Sequence, residues 1–322
     1  MTKARIVMVL AAALAALPAG AQTGDWPAKP IKIVVPSAAG GAADFLARAF
    51  SRHFTQKTSQ AVVVENRPGA GAIIGAQAVK ASAPDGYTYL LSGMSTQSAN
   101  AILYANLPYD PQKDFEEIGM FGTFPMIGMA KKDGPIRNIA DLIAAAKANP
   151  GKLSFGHHAA SALVPSELVK ARAGVSATGV PYKNVTQIAT DIASGNLDFA
   201  FLDALSAMPA LKGGLVEPIA VTSPQRFHAF PNVPAVAEAL PGLSMVGWLG
   251  LSAPAGTPRP ILERMNALLR EAQAEPTIKA GLEGQGLTVR PVTLDEQKAW
   301  VLEDRKNWVE WVRIAKIQRQ SL

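Results

Sequence analysis

Two apolar patterns alternate along the chain. Short β-branched runs at residues 31–36, 61–65 and 87–92 predict buried strands. Between them, apolar residues recur at helical spacing from Asp44 (DFLARAF) and over residues 72–81. The resulting βαβαβ order predicts a parallel sheet with right-handed crossovers. A second series follows. Strands are expected at 125–131, 152–156, 179–182, 197–202 and 217–222, and helices at 139–147, 165–173 and 187–194. The apolar run 245–253 is long enough to join two domains, and 259–274 reads as an amphipathic helix. A last helix over 294–317 carries Trp300, Trp308 and Trp311, a stripe expected to dock on the body.

The connections hold the candidate chemistry. Between the first strand and helix lie Ser37, Ala38, Ala39, Gly40, Gly41, Ala42, Ala43 and Asp44. Small residues let a ligand approach the backbone, and a helix start offers unpaired N–H groups and a positive dipole end, which suit a carboxylate. A bulky residue at Gly41 is expected to block that approach and to strain any left-handed conformation there. The third strand runs into a polar loop, 93–100, containing Ser95 and Thr96. In parallel sheets both loops fall on the rim where ligands bind. The device recurs at His157, His158, Ala159, Ala160 and Ser161 in an expected loop 157–164, with Asn184 in a further loop and Asp203 at a strand end. Two such loops facing across a cleft form a clamp that closes by hinge motion. Asp44 is read either as a helix-start carboxylate or as a ligand contact, and Asp203 as a ligand contact or a cap. The two histidines are read as donors to a ligand or as structural groups. Ser95 misses the G-x-S-x-G nucleophile elbow, and neither G-x-G-x-x-G in the first loop nor a P-loop is present.

A length of 322 residues suggests two domains, here 22–124 with 244–322, and 125–243. Residues 1–21 combine Lys3 and Arg5, an apolar stretch and Ala19-Gly20-Ala21, the pattern of an export signal cleaved after Ala21. Cysteine is absent, which excludes disulfides, thiol catalysis and thiolate metal sites. The formal charge is +6, and without Lys3 and Arg5 there are 29 basic and 25 acidic residues, a charge of +4. The basic residues are scattered, so no nucleic-acid face is expected, while an anionic ligand is mildly favoured. His53 and His228 sit in segments unrelated to His157 and His158, so no metal site is expected.

The whole chain after residue 21 resembles the Bug-type periplasmic receptors of tripartite tricarboxylate transporters. The resemblance is carried by WPAKPIKIVVP from Trp26, the Gly40-Gly41 pair with Asp44, VVVENRPGAG from Val62, PDGYT from Pro84 and LYANLPYDPQKDF from Leu103. It continues through NPGKLSF from Asn149, VPYK from Val180, SGNLDFAFLD from Ser194, FPNVPAVAE from Phe230 and WLGLSAPAGTP from Trp248. It implies an α/β, two-lobe periplasmic binding protein of the type II, venus-flytrap kind, with mixed sheets and two crossing strands near 125–131 and 245–253. It further implies a non-enzymatic monomer without cofactors. Such a receptor holds a small carboxylate at the 37–44 and 157–161 loops and delivers it to integral membrane transporter subunits. The alternative is a periplasmic sensor docking on a membrane signalling receptor. Three positions depart from the family pattern. Ala43 stands where threonine usually precedes the aspartate, the second loop is about two residues short, and Asn184 replaces a glycine.

Overall fold

The computed structural model describes residues 26–158 and 160–321. The expected export signal and Ala159 lie outside the described residues. The first half builds β1 (Ile31–Val35), α1 (Ala42–Thr58), β2 (Val62–Asn66), α2 (Ile73–Lys80), β3 (Thr88–Gly93), α3 (Asn100–Leu103) and β4 (Phe115–Lys131). The middle holds α4 (Ile139–Ala148), β5 (Ser154–His157), α5 (Ala160–Ala173), β6 (Thr178–Pro181) and α6 (Val185–Ser194). It continues through β7 (Phe199–Asp203), α7 (Ala204–Lys212), β8 (Val216–Val221) and α8 (Val236–Ala239). The chain then returns through β9 (Val246–Pro254), α9 (Arg259–Ala274), α10 (Pro276–Gly284), β10 (Thr288–Val289) and α11 (Leu294–Ile314).

The strands run in the order β2-β1-β3-β9-β4-β7-β5-β6, with β8 and β10 also paired to β4. β1 is parallel to β2 and β3, and β9 runs antiparallel between β3 and β4, so the sheet is mixed. The parallel half follows from its β-branched runs joined by helices, since parallel strands need long crossovers. β4 is longer than its sequence pattern suggests. Its first part, Phe115–Pro125, pairs with β9, and from Met126 onward it pairs with β7 and β8. Glycines make the close packing around β4 and β9 possible. A Cβ on Gly250 would lie 2.3 Å from Gly119 O, and one on Gly122 2.4 Å from Thr288 O. Thr222 ties the two strands where they pass from one half to the other. Its buried Oγ1 accepts from Met126 N at 2.8 Å and reaches Met245 O at 2.6 Å.

Two large apolar cores result. One gathers β1, α1, β3 and α9 around Phe50, Phe54, Leu251 and Met265. The other gathers the middle segment around Phe155, Phe199, Phe201 and Ile219, and includes Trp308 and Val312 from α11. The tryptophan stripe docks as its spacing suggests. Trp308 is fully buried and meets Trp311 edge-on at 5.5 Å.

Two expected loops are not loops. Residues 95–99 form a π-helical turn that runs directly into α3, and Thr96, Gln97, Ser98 and Ala99 are buried in it. The polar side chains there read as a small loop in sequence, but Gln97 Nε2 reaches Ser252 Oγ at 3.4 Å in a buried polar cluster while Ser95 and Thr96 face the cleft. Helix α5 starts at Ala160, five residues before the expected start, which leaves Pro165 inside the helix. Proline lacks an N–H but keeps a helical φ, so it is tolerated near a helix start, and a start keyed to Pro165 came too late. Helices α7 and α10 were also not anticipated.

Candidate functional site

The site opens where the carboxyl ends of β1 and β3 face the starts of α6 and α7. A cleft of about 800 Å³ there is lined by the whole first loop from Pro36 to Ala43, by Ser92–Thr96, and by Val185, Thr186, Asp203 and Leu205. A second space of about 410 Å³ shares Ser37, Ala72, Met94, Ser95 and Asp203 with it, and adds Asn100, Tyr104, Met126 and His158. The shared residues make the two spaces one continuous cleft.

The first loop is held by hydrogen bonds within itself and to β2. Asn66 Nδ2 donates to Ser37 O at 3.1 Å, and Gly40 N donates to Asp44 Oδ2 at 3.1 Å. Asp44 also accepts from Arg48 Nε at 2.9 Å. The Arg48 guanidinium holds the Asp44 carboxyl below its ordinary range. Asp44 is therefore buried and engaged within its own loop and helix. The left-handed residue is Gly40, at φ +82°, whereas Gly41 is extended at φ −80°, so the strain expected at Gly41 falls one residue earlier. Gly41 is the N-cap of α1 and supplies no side-chain cap. The first-turn N–H groups at Ala42 and Ala43 thus lack a capping side chain beside the cleft. Ser37 Oγ is enclosed there with no hydrogen-bond partner.

The wall from β3 is equally fixed. Thr96 Oγ1 accepts from Gly93 N at 3.1 Å, Tyr109 OH donates to Thr96 O at 2.9 Å, and Arg305 Nε donates to Gln97 O at 2.5 Å. π-Helical turns of this kind recur at functional sites. On the opposite side, Asp203 caps α7 by accepting from Ser206 N at 2.9 Å while lining both parts of the cleft. Both readings of Asp203 are thus compatible. Asn184 is exposed and caps α6 by accepting from Gln187 N at 2.9 Å, which places its side chain in a structural bond, while the next residues, Val185 and Thr186, reach the cleft. The histidines separate. His158 lines the second space, with Nδ1 enclosed and without a hydrogen-bond partner. The His157 ring lies beside Phe155 at 6.2 Å, and its carbonyl accepts from Tyr182 N at 2.8 Å. Ala160 and Ser161 open α5.

Several lining residues were not anticipated, among them Leu91, Met94, Phe124 and Leu205. In the sequence they are ordinary core residues at strand and helix ends, and no local signal marks them as facing a cleft. Trp248, read as core or hinge packing, is fully buried and also forms cleft floor, with Nε1 donating to Asp304 Oδ2 at 2.9 Å.

Behind this floor lies a buried polar cluster. Ser252 Oγ sits 2.7 Å from Ser92 Oγ and 3.0 Å from Glu117 Oε2. Glu117 keeps some exposure as a residue, but its Oε1 is enclosed and unpartnered. Burial raises the Glu117 carboxyl to about 7 and that of Asp304 to about 6. Arg305 adjoins both acids, and its own burial lowers its affinity for the proton.

Comparison with known proteins agrees with this architecture. The family described as "Tripartite tricarboxylate transporter family receptor" matches residues 46–315. A relative from Pseudomonas sp. (strain P51), "UPF0065 protein in tcbD-tcbE intergenic region", is 35% identical over 288 residues, 88% of this chain and 85% of the relative. Among solved structures, "R. palustris Rpa4515 with adipate" has a TM-score of 0.84 at 28% identity, covering 92% of this chain and 100% of that one. "Structure of periplasmic binding protein BugD" has a TM-score of 0.78 at 32% identity, covering 92% and 100%. The match along most of the chain, on a mixed-sheet fold shared with solved periplasmic binding proteins, establishes that this chain belongs to the tripartite tricarboxylate transporter receptor family, a family of solute-binding receptors and not of enzymes.

Proposed function

We propose that this protein is an extracytoplasmic receptor that captures a small carboxylate in the cleft and delivers it to integral membrane transporter subunits. The observation that carries the reading is the start of α1. Its glycine N-cap leaves first-turn N–H groups without a capping side chain, next to an enclosed, unpartnered Ser37 hydroxyl. Such an arrangement satisfies a carboxylate without a cationic side chain. The similar structure that contains adipate supports this class of ligand. No helix among the described residues is long and apolar enough to cross a membrane. Export of the chain, with cleavage after Ala21, rests on the sequence of residues 1–21.

The clamp divides into lobes at 22–124 with 244–322, and 125–243. The two apolar cores and the Thr222 tie between β4 and the start of β9 support that division. The end of α11 belongs to lobe 1 by sequence but packs into the core of the middle segment, so it spans the boundary. Ligand contacts are assigned to the main chain of residues 37–43, to Ser37, Ser95 and Thr96, and across the cleft to His158, the α5 start and Asp203. Native mass spectrometry of freshly purified protein tests the reading. A co-purified organic acid is expected, and its exchange for added acids should be measurable by calorimetry. Binding of neutral amides as tightly as of the matching acids would refute it.

A further inference from the structure

A chain of hydroxyls runs from the cleft floor to a buried acid. Ser92, near the end of β3, is buried and lines the larger space. Among the described residues its Oγ has one hydrogen-bond partner, Ser252 Oγ at 2.7 Å. Ser252 Oγ has three neighbours: Ser92 Oγ, Glu117 Oε2 at 3.0 Å and Gln97 Nε2 at 3.4 Å. A hydroxyl gives one proton and accepts two, so three neighbours saturate it. Gln97 Nε2 can only donate and takes one acceptor place. Ser252 therefore donates to one of Ser92 and Glu117 and accepts from the other. An ionised Glu117 is acceptor-only. It draws the Ser252 proton, Ser92 then donates to Ser252, and the Ser92 hydroxyl offers the cleft only lone pairs. A neutral Glu117 with its proton on Oε2 donates to Ser252. Ser252 then donates to Ser92, and the Ser92 proton is free for the cleft.

The groups around Glu117 set when it changes state. Glu116, beside it on β4, opposes its ionisation, Arg305 of α11 favours it, and Gln297 of α11 adjoins it. Arg305 is shared with Asp304 of α11, and with Tyr109 and Asp110 from the segment before β4. Burial outweighs the favourable neighbours and raises the Glu117 carboxyl to about 7. Given that the carboxylate reading above holds, a donor at the floor attracts the ligand and bare lone pairs repel it. We propose that Glu117 is a positioning residue for ligand capture: acting through Ser252, its neutral form turns the Ser92 hydroxyl toward the carboxylate in the cleft. Binding then takes up a proton. Affinity is complete while Glu117 is neutral in the free protein, below about 7, and falls as pH rises above it.

The test is calorimetry on the purified protein with adipate, malate and benzoate, from pH ~6.5 to ~8.5, where these acids stay ionised. For any that binds, affinity is expected to fall at least about fivefold over that range, through loss of one charge-assisted hydrogen bond. At neutral pH the binding heat should differ between buffers of unlike ionisation heat, in the direction of proton uptake. Glu117→Gln should remove the fall, because it leaves no proton to exchange. Ser252→Ala keeps the acid but cuts the chain, and should remove the fall as well. His158→Ala is the control, since histidine ordinarily changes charge near neutral pH. Whatever that variant does to affinity, the fall should persist. An affinity of the natural protein that is flat across the range overturns the inference and leaves the carboxylate reading standing. So does a fall that survives in folded Glu117→Gln or Ser252→Ala, or one that vanishes in His158→Ala. If none of the acids binds, both readings fail. Should neither chain variant fold, the buffer-dependent heats of the natural protein and the His158→Ala profile decide.

Discussion

The buried acid behind the cleft floor makes a quantitative prediction. Glu117 has a carboxyl raised by burial from an ordinary 4.5 to about 7. The folded state therefore holds this proton more tightly than the unfolded chain. Stability contributed by the neutral form is complete below pH ~4.5, falls as pH rises, and is lost above about 7. The interval of about 2.5 units corresponds to about 3 kcal/mol, taking ~1.36 kcal/mol per unit. Glu117→Gln keeps an oxygen that can accept from Ser252, so the local bond survives while the titration is removed. The variant should match the natural protein near pH 4.5 and exceed it by about 3 kcal/mol at pH 8. With an unfolding entropy of ~2.1 cal/mol/K per residue over about 300 residues, that is a gain on the order of 5 °C in Tm. The assay is a pair of thermal melts at half-unit steps from pH 4.5 to 8.5. Asp304, raised to about 6, contributes a slope of the same sign to both proteins and cancels in the difference. A difference between the two curves that stays constant across this range would refute the argument.

Other outcomes follow from the site and its supports. Gly41→Val should leave Tm nearly unchanged, because Gly41 is extended and a Cβ there meets only Ala38 O at 3.7 Å, yet it should weaken acid binding by calorimetry tenfold or more. Gly40→Ala should instead cost about 1–2 kcal/mol of stability in denaturant melts, since Gly40 is left-handed at φ +82°. Asp203→Ala should cost about 1 kcal/mol by losing the cap on α7, while Asp203→Asn should keep it; an equal loss in both would refute the cap. Trp248→Phe should reduce any ligand-induced change in tryptophan fluorescence, because Trp248 is the one tryptophan among the described residues lining the cleft.

How much of this was legible in sequence depends on the range of the interaction concerned. The first loop could be read because its cause is local. A β-branched run must end, small residues follow, and a helix begins, so Ser37–Ala43 reach the rim whatever the rest of the chain does. The structure moved only the left-handed position, from Gly41 to Gly40, a detail that two adjacent glycines cannot reveal. The 95–99 segment misled for the opposite reason. Its serines, threonine and glutamine read as a polar loop, but Gln97 answers a polar cluster assembled from Glu117, Ser252 and Arg305, residues far apart in the chain. A polar run whose partners are distant in sequence reads as a loop. The same distance hid the apolar wall. Leu91, Phe124 and Leu205 each sit among neighbours that form a core, and only the tertiary fold brings them together around one cleft. On the proposed reading, the cleft leaves two traces of unequal visibility. The N–H groups are marked by glycine and alanine at a helix start, while much of the remaining lining comes from residues that sequence assigns to packing. That inequality is why family membership can be read along the whole chain while ligand choice must be argued from what lines the cleft.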